Sequence, residues 1–214
     1  MSLLQSARDL VILLEKPHER ITRMIYLEAA VFTTTKTLID LGIFKILAQS
    51  KEPLTGANLA QDSGADPSLI ERLLKLIAVE KIVEETAPDT YRANDITHCI
   101  ALPGPQGAIE DMFQSERVLA ALPEFLKETK YANPTDKDNS AWKYGYQTEQ
   151  HYFEYINTPG REKILEAFRN HIAFKTVGLK WNEVPAIMVS SLGMQNMKRK
   201  MSCSSMLVVV GVMI

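Results

Sequence analysis

The 214 residues predict a mainly α-helical fold: a helical dimerisation domain that includes a winged helix with a small β-hairpin, followed by linker helices. Three observations carry this prediction. Apolar residues recur at helical spacing over much of the chain, two well-capped helices run straight into a hairpin between Gly42 and Ile96, and a polar connection separates two later helical stretches. An apolar fraction of 46% suits a chain that can bury one large or two small cores.

Leu3, Leu4, Leu10, Ile12, Leu13 and Leu14 set a first amphipathic helix, which Pro17 ends. Arg8 and Asp9 sit before its apolar stretch and no small-residue cleavage signal follows, so it does not read as a signal peptide. A second helix follows from about Glu19 through Thr37 to Leu41. Its centre, MIYLEAAVFTTTKTLIDLGIF, is apolar on nearly every side and needs cover all round, which a partner subunit can supply. Thr55 opens the short helix TGANLAQDSG that closes at Gly64. Asp66 as N-cap with Pro67 behind it then launches PSLIERLLKLIAVEK, completing a helix-turn-helix. KIVEETAPDTYRAND reads as a hairpin around Ala87-Pro88-Asp89. Beyond Pro103, the helical stretches GAIEDMFQSERVLAALPEFLKETK and TPGREKILEAFRNHIAFKTVGL flank YANPTDKDNSAWKYGYQ, which reads as a polar loop. The expected divisions are residues 1–100, 101–184 and an aberrant tail, 185–214.

Charge excludes several functions. A winged helix invites a DNA-binding reading, yet from Leu41 to Ile96 six Lys and Arg face nine Asp and Glu, the reverse of what phosphate neutralisation needs. The net charge of −2 gives no general reason to seek nucleic acid or an anionic membrane. Cys99 and Cys203 fit neither a metal-ligand spacing nor a disulfide framework, and a reducing cytoplasm suits them.

LGIFKIL, then PLTGANLAQDSGADPSLIERLLKLIAVEKIVEE, then DTYRANDIT together resemble the N-terminal domain of the S-adenosylmethionine-dependent O-methyltransferases of the plant caffeate type, in their fungal secondary-metabolism branch. The likeness continues through NPTDKDNSAWKYGYQTEQHYFEYINTPGREKILEAFRNHIAFK to KWNEV, so it runs from about Leu10 to Val184. It implies a dimerisation domain followed by helices that cover a small aromatic or polyketide acceptor. It also implies that a Rossmann-like domain should follow, with a turn of the form VDVGGGxGHD after its first strand and a catalytic His later still. No such turn stands in the 214 residues.

The tail changes character at that point. From Val184 onward there is no Asp or Glu, and six of the nine methionines fall there. With one permitted choice of codons, KMSCSSMLVVVGVMI read from its third base becomes DVLLVDVGGGRGHD, the missing cofactor motif. The expectation is a frame change between about Val184 and Met194, leaving the Rossmann-like domain absent and the chain truncated. SMLVVVGVMI itself reads as an apolar strand too short to span a membrane.

The sequence offers no catalytic, cofactor-binding or metal-ligating residue of its own. His98-Cys99 is an adjacency without an orienting third group, and His18 has no evident partner. The resemblance implies that Tyr146, Phe153, Phe168, His171 and Phe174 line the acceptor pocket, with His151, Tyr152 and Tyr155 nearby. Aromatics at helical spacing also fill ordinary cores, and both readings stand. Three functional readings follow: an O-methyltransferase half that expects no cofactor of its own, although the full-length family uses S-adenosylmethionine; a non-methylating, pericyclase-like enzyme; or an interaction module. The expected partner is a second copy or a full-length paralogue, with no nucleic acid and no membrane.

Overall fold

The computed structural model describes residues 3–136 and 138–177, with the side chains of 175–177 excepted; the tail from 178 lies outside the described residues. The described residues divide into two units, with the boundary between Gln106 and Gly107.

The first unit opens with α1 (Leu3–Leu14) and α2 (Pro17–Thr22), whose first turn starts at Pro17 as proline geometry allows. The helix does not run uniformly to Leu41, as the sequence suggests. Arg23–Glu28 forms a π turn before α3 (Ala29–Asp40). Arg23 is fastened there by Glu15 at 2.8 Å and Glu28 at 2.7 Å. Nor is α3 simply apolar: Thr34, Thr35 and Lys36 are buried beside Leu38, and Lys36 meets Asp40 one turn on at 2.6 Å. Buried polar side chains on a helix of that composition were not expected from its apolar pattern.

Gly42 turns the chain at φ 73, a left-handed conformation, into α4 (Ile43–Gln49). β1 (Leu54–Thr55) leads into α5 (Gly56–Ser63), where the Thr55 hydroxyl accepts from the Asn58 amide at 3.2 Å. Asp66 caps α6 (Pro67–Val79) by accepting from Leu69 N at 3.1 Å. Both caps stand where the sequence places them. β2 (Glu84–Ala87) and β3 (Thr90–Arg92) complete an antiparallel sheet of order β1-β3-β2, with a bulge between Glu85 and Ala87. This is the wing of a winged helix. Lys75 on α6 reaches both Glu71 and Asp89 at 2.9 Å, tying helix to wing tip.

α7 (Asp95–Ile100) closes the unit through a polar staple. Asn94 donates to Lys81 O at 2.8 Å, and the fully buried Thr97 donates to Ile82 O at 2.7 Å. Leu38, Ile43, Phe44, Leu59, Ile70, Leu74, Ile77, Val83 and Tyr91 are each fully buried. Every such aliphatic or aromatic side chain contributes about 1.5–3 kcal/mol on removal from water. In contrast, Leu3, Leu13, Leu14, Ile21, Met24, Ile25 and Tyr26 are exposed, Tyr26 at 71%.

The second unit is built on α8 (Pro103–Glu128), against which lie α9 (Ala141–Tyr146), α10 (Tyr152–Ile156) and α11 (Glu162–Val177). The expected loop 131–147 is corrected here. Ser140 caps α9 by accepting from Lys143 N, and Ala141 and Trp142 are buried. The polar composition before Ser140 concealed an apolar turn after it. Val118, Phe125, Ala141, Trp142, Tyr152 and Ile156 form the core.

Close approach of α8 and α11 depends on Gly107. A Cβ there would lie 2.7 Å from Ala167 O and 3.3 Å from His171 N, both backbone atoms that cannot yield separately. Gly107→Ala is therefore expected to destabilise the second unit by about 2 kcal/mol through overpacking. Urea unfolding followed by tryptophan fluorescence checks this, because Trp142 reports on that core; an unchanged midpoint would refute the close-packing argument.

Candidate functional site

The residues with chemistry to offer converge in the second unit. Along α8, Gly107, Asp111, Val118 and Phe125 are buried at heptad spacing, so one stripe of the helix faces inward and a carboxylate stands within it. A buried carboxylate must be paired. Asp111 is, twice: Tyr152 of α10 donates its phenolic proton to Oδ1 at 2.7 Å, and His171 Nδ1 of α11 lies 2.6 Å from Oδ2. Asp111 and His171 are each 8% exposed and Tyr152 6%. Burial, reinforced by the hydrogen bond to Asp111 and its negative charge, holds the Tyr152 phenol well above the ordinary tyrosine range.

Aromatic rings surround this cluster. Trp142 stacks on Tyr146 with centroids 4.0 Å apart and meets the edges of Tyr152 and Tyr155 at 4.9 and 5.3 Å. Tyr146 donates to Gln114 O at 2.6 Å, and burial raises its phenol to about 12. Phe153 and Phe168 contact Tyr152 at 5.3 and 5.8 Å and each other at 5.8 Å. The Arg161 guanidinium lies 3.3 Å above the Tyr155 ring and donates to Tyr155 O at 3.0 Å.

Of the sequence candidates, Tyr146 and Phe168 join this ring cluster, and His171 supplies its buried imidazole. Phe153 packs on the cluster while 48% exposed, and Phe174 of α11 is 38% exposed. His151 is placed otherwise, as the N-cap of α10, where Nδ1 accepts from Phe153 N at 3.4 Å. His98 and Cys99 lie on α7 in the first unit, with Cys99 exposed. Asp111 was missed, although an acid in an otherwise apolar heptad stripe is a legible sign. Among the described residues no group of His, Cys, Asp and Glu could hold a metal ion, and no helix is long and apolar enough to cross a membrane. Every described strand belongs to the antiparallel wing sheet, and none runs into a glycine-rich turn of the kind that seats a nucleotide-like cofactor.

A capped helix-turn-helix with a three-stranded wing, beside exposed apolar N-terminal helices, defines a dimerising winged-helix domain. Residues 25–101 match the model of the O-methyltransferase dimerisation domain, and the chain belongs to the O-methyltransferase family. It is 27% identical over 193 residues to O-methyltransferase ucdC of Aspergillus ustus, covering 88% of this chain and 50% of that protein. To O-methyltransferase lepI of Aspergillus flavus it is 32% identical over 152 residues, covering 71% and 39%. The chain thus spans at most half the length of these relatives. The structure of LepI with SAM superposes with a TM-score of 0.74 at 27% identity, covering 92% of this chain and 50% of that one. OxaC with sinefungin and meleagrin shares the fold at a TM-score of 0.72 and 16% identity, over 86% and 46%.

Two measurements test the geometry. Tyr152→Phe removes a hydrogen bond to a buried carboxylate and is expected to cost about 2 kcal/mol, read by urea unfolding; a neutral substitution would show that the Asp111 contact is not formed. For Tyr146 the sign is fixed by its raised value. The unfolded phenol ionises near pH 10 while the folded one stays protonated to about 12, so its contribution is complete below pH 10 and is lost as pH rises towards 12. Tyr146→Phe should therefore show a smaller fall in urea midpoint between pH 9 and pH 11.5 than the unmodified chain.

Proposed function

We propose that this chain is the dimerisation and acceptor-covering half of an S-adenosylmethionine-dependent O-methyltransferase that methylates a hydroxyl of a small aromatic or polyketide compound in fungal secondary metabolism. In this reading residues 1–100 pair subunits, 101–184 cover the acceptor, and Tyr146, Phe153, Phe168, His171 and Phe174 line it. The observation that carries it is the exposed apolar run Ile21, Met24, Ile25 and Tyr26, at and next to the start of a matched dimerisation domain. Such a face is costly in water and inexpensive against a second subunit.

The 214 residues alone do not transfer methyl, because catalysis needs donor and acceptor held together in the transition state and these residues carry no glycine turn for the donor. Isothermal titration with S-adenosylmethionine is expected to give no binding heat; saturable binding overturns this. The frame-change reading rests on residues 184–214, which lie outside the described residues, and transcript sequencing across 184–194 tests it. An uninterrupted frame with no methyltransferase-like continuation in the other frame would refute it.

A second reading has its own support. A solved structure described as a pericyclic reaction enzyme superposes at a TM-score of 0.74 and 27% identity. A pocket that only orients a substrate gains rate by pre-organisation and needs no methyl donor. Isomerisation of a polyketide-derived substrate without change of mass would favour this reading over methyl transfer.

Pairing is tested directly. Ile25 is 54% exposed, and Ile25→Asp would place a charge in the paired face. Loss of one buried apolar side chain, about 1.5–3 kcal/mol, corresponds to at least about tenfold weaker self-association by sedimentation equilibrium. Equal association of the variant would remove that face from the interface. Co-purification with a full-length relative would extend the pairing to a mixed dimer.

A further inference from the structure

Of the ten prolines, only Pro159 follows a serine or threonine, and Arg161 stands two positions beyond it. The stretch reads Thr158-Pro159-Gly160-Arg161. A proline directly after an acceptor hydroxyl brings no backbone N–H into a kinase groove, and a cation further along answers an acidic site there. Proline-directed protein kinases read that pattern. Neither the pairing of subunits nor the covering of an acceptor accounts for it.

The turn that carries the pattern lies at the surface. Residues 157–161 join α10 to α11 with Asn157, Pro159 and Gly160 exposed and Thr158 and Arg161 half-buried, so no core side chain is anchored in it. Thr158 N donates to Tyr155 O and Arg161 N to Thr158 O, both at 3.2 Å. Opening such a turn into an extended strand breaks a few outer hydrogen bonds and uncovers little apolar surface, which places it among the less costly local openings.

A single amide links the hydroxyl to the cation. Gln150 donates from Nε2 to Thr158 Oγ1 at 3.3 Å and accepts at Oε1 from Arg161 Nη1 at 3.2 Å. Arg161 also donates to Tyr155 O at 3.0 Å, with its guanidinium 3.3 Å from the Tyr155 ring centroid. A group added to Thr158 Oγ1 therefore starts one side chain away from the cation whose fork best matches phosphate oxygens. The carboxylates of the same stretch are engaged elsewhere: Glu154 accepts from His151 N at 3.1 Å and Glu162 from Gly160 N at 2.8 Å.

We propose that Thr158 is the acceptor hydroxyl of a proline-directed protein kinase and that the phosphate placed there is held by Arg161. In the transfer, Thr158 Oγ1 forms a bond to the γ-phosphorus of a nucleoside triphosphate. The bond from that phosphorus to the bridging oxygen breaks, its electron pair leaves on the nucleoside diphosphate, and the hydroxyl proton passes to a kinase carboxylate. Esterification removes the proton that Thr158 donates to Glu154 O at 3.1 Å. The new dianion draws Arg161 off the Tyr155 ring, which itself packs at 5.3 Å on Trp142 and 5.1 Å on Tyr146. One guanidinium thus carries the charge change to the aromatic core. The step needs neither methyl donor nor methyl acceptor, so it stands apart from the function proposed above.

The 214-residue chain, incubated with ATP and a cyclin-dependent kinase, is read by intact mass and by fragment mass spectra. One phosphate on Thr158 is expected, absent in Thr158→Val and largely lost in Pro159→Ala. No phosphate on the unmodified chain, or phosphate located only at other residues, overturns the site. Fragment spectra locate the group on the unmodified chain, so the result does not depend on how the variants fold. Capture by Arg161 is read by ³¹P titration of the phosphorylated chain, folded and in urea. The second ionisation of the phosphate lies at about pH 6, and an adjacent guanidinium favours the dianion, so the folded value should fall below the value in urea. Coincident values overturn the contact with Arg161.

Discussion

A carboxylate at position 111 has to be neutralised by hydrogen bonds wherever the chain buries it, and α8 buries it on the same stripe as Gly107, Val118 and Phe125. That demand organises the second unit. It draws Tyr152 from a helix of only five residues and His171 from the closing helix onto one pair of oxygens. The short helix α10 could not persist on its own backbone hydrogen bonds, since one costly nucleating turn leaves almost nothing to propagate. It is held by what its side chains reach: the carboxylate through Tyr152, and the Trp142 ring through Tyr152 and Tyr155. Gly107 sets how near α11 can come, and the 2.6 Å separation of His171 and Asp111 depends on that approach.

The two units differ in how their polar groups are spent. In the first, Thr55, Asp66 and Asn94 satisfy helix starts three residues on, so local grammar specifies local structure, and only Thr97 reaches further, to the Ile82 carbonyl. In the second, the decisive contacts join residues 32, 41 and 60 positions apart. This separation explains what was legible beforehand. Asp66-Pro67, Thr55 and Gly64 announce the helix-turn-helix because capping is encoded within a turn, and the hairpin around Pro88-Asp89 is encoded by its own turn residues. Nothing within a turn of Asp111 says which side chains will meet it. Tyr146, Phe168 and His171 could be named as a group, but whether they line a pocket or fill a core depends on helix placement that no local pattern contains.

Two departures from the sequence reading have the same origin. The run before Ser140 is polar enough to read as loop, yet Ser140 itself is a cap, and the six residues behind it include the ring about which the aromatic core is arranged. Composition averaged over seventeen residues hides a change of role at one. Likewise the centre of the second helix looks uniformly apolar, while Thr34, Thr35 and Lys36 are inside and Met24, Ile25 and Tyr26 outside. Periodicity fixes that a helix forms, not which face turns inward, when apolar residues surround it. The π turn at Arg23–Glu28 shifts the phase between the exposed segment and the buried one, so a single helical wheel drawn through both misassigns one of them.

That inversion leaves an apolar face at the start of the matched dimerisation domain. An isolated subunit leaves Leu3, Leu13, Leu14, Met24 and Tyr26 in water, each at more than half of full exposure. Such surface carries a solvation cost that cover by another surface would relieve. The polar cluster around Asp111 behaves oppositely: its hydrogen bonds are complete within one unit and need no partner. The N-terminal face is thus defined by apolar surface and the second unit's cluster by internal hydrogen bonds.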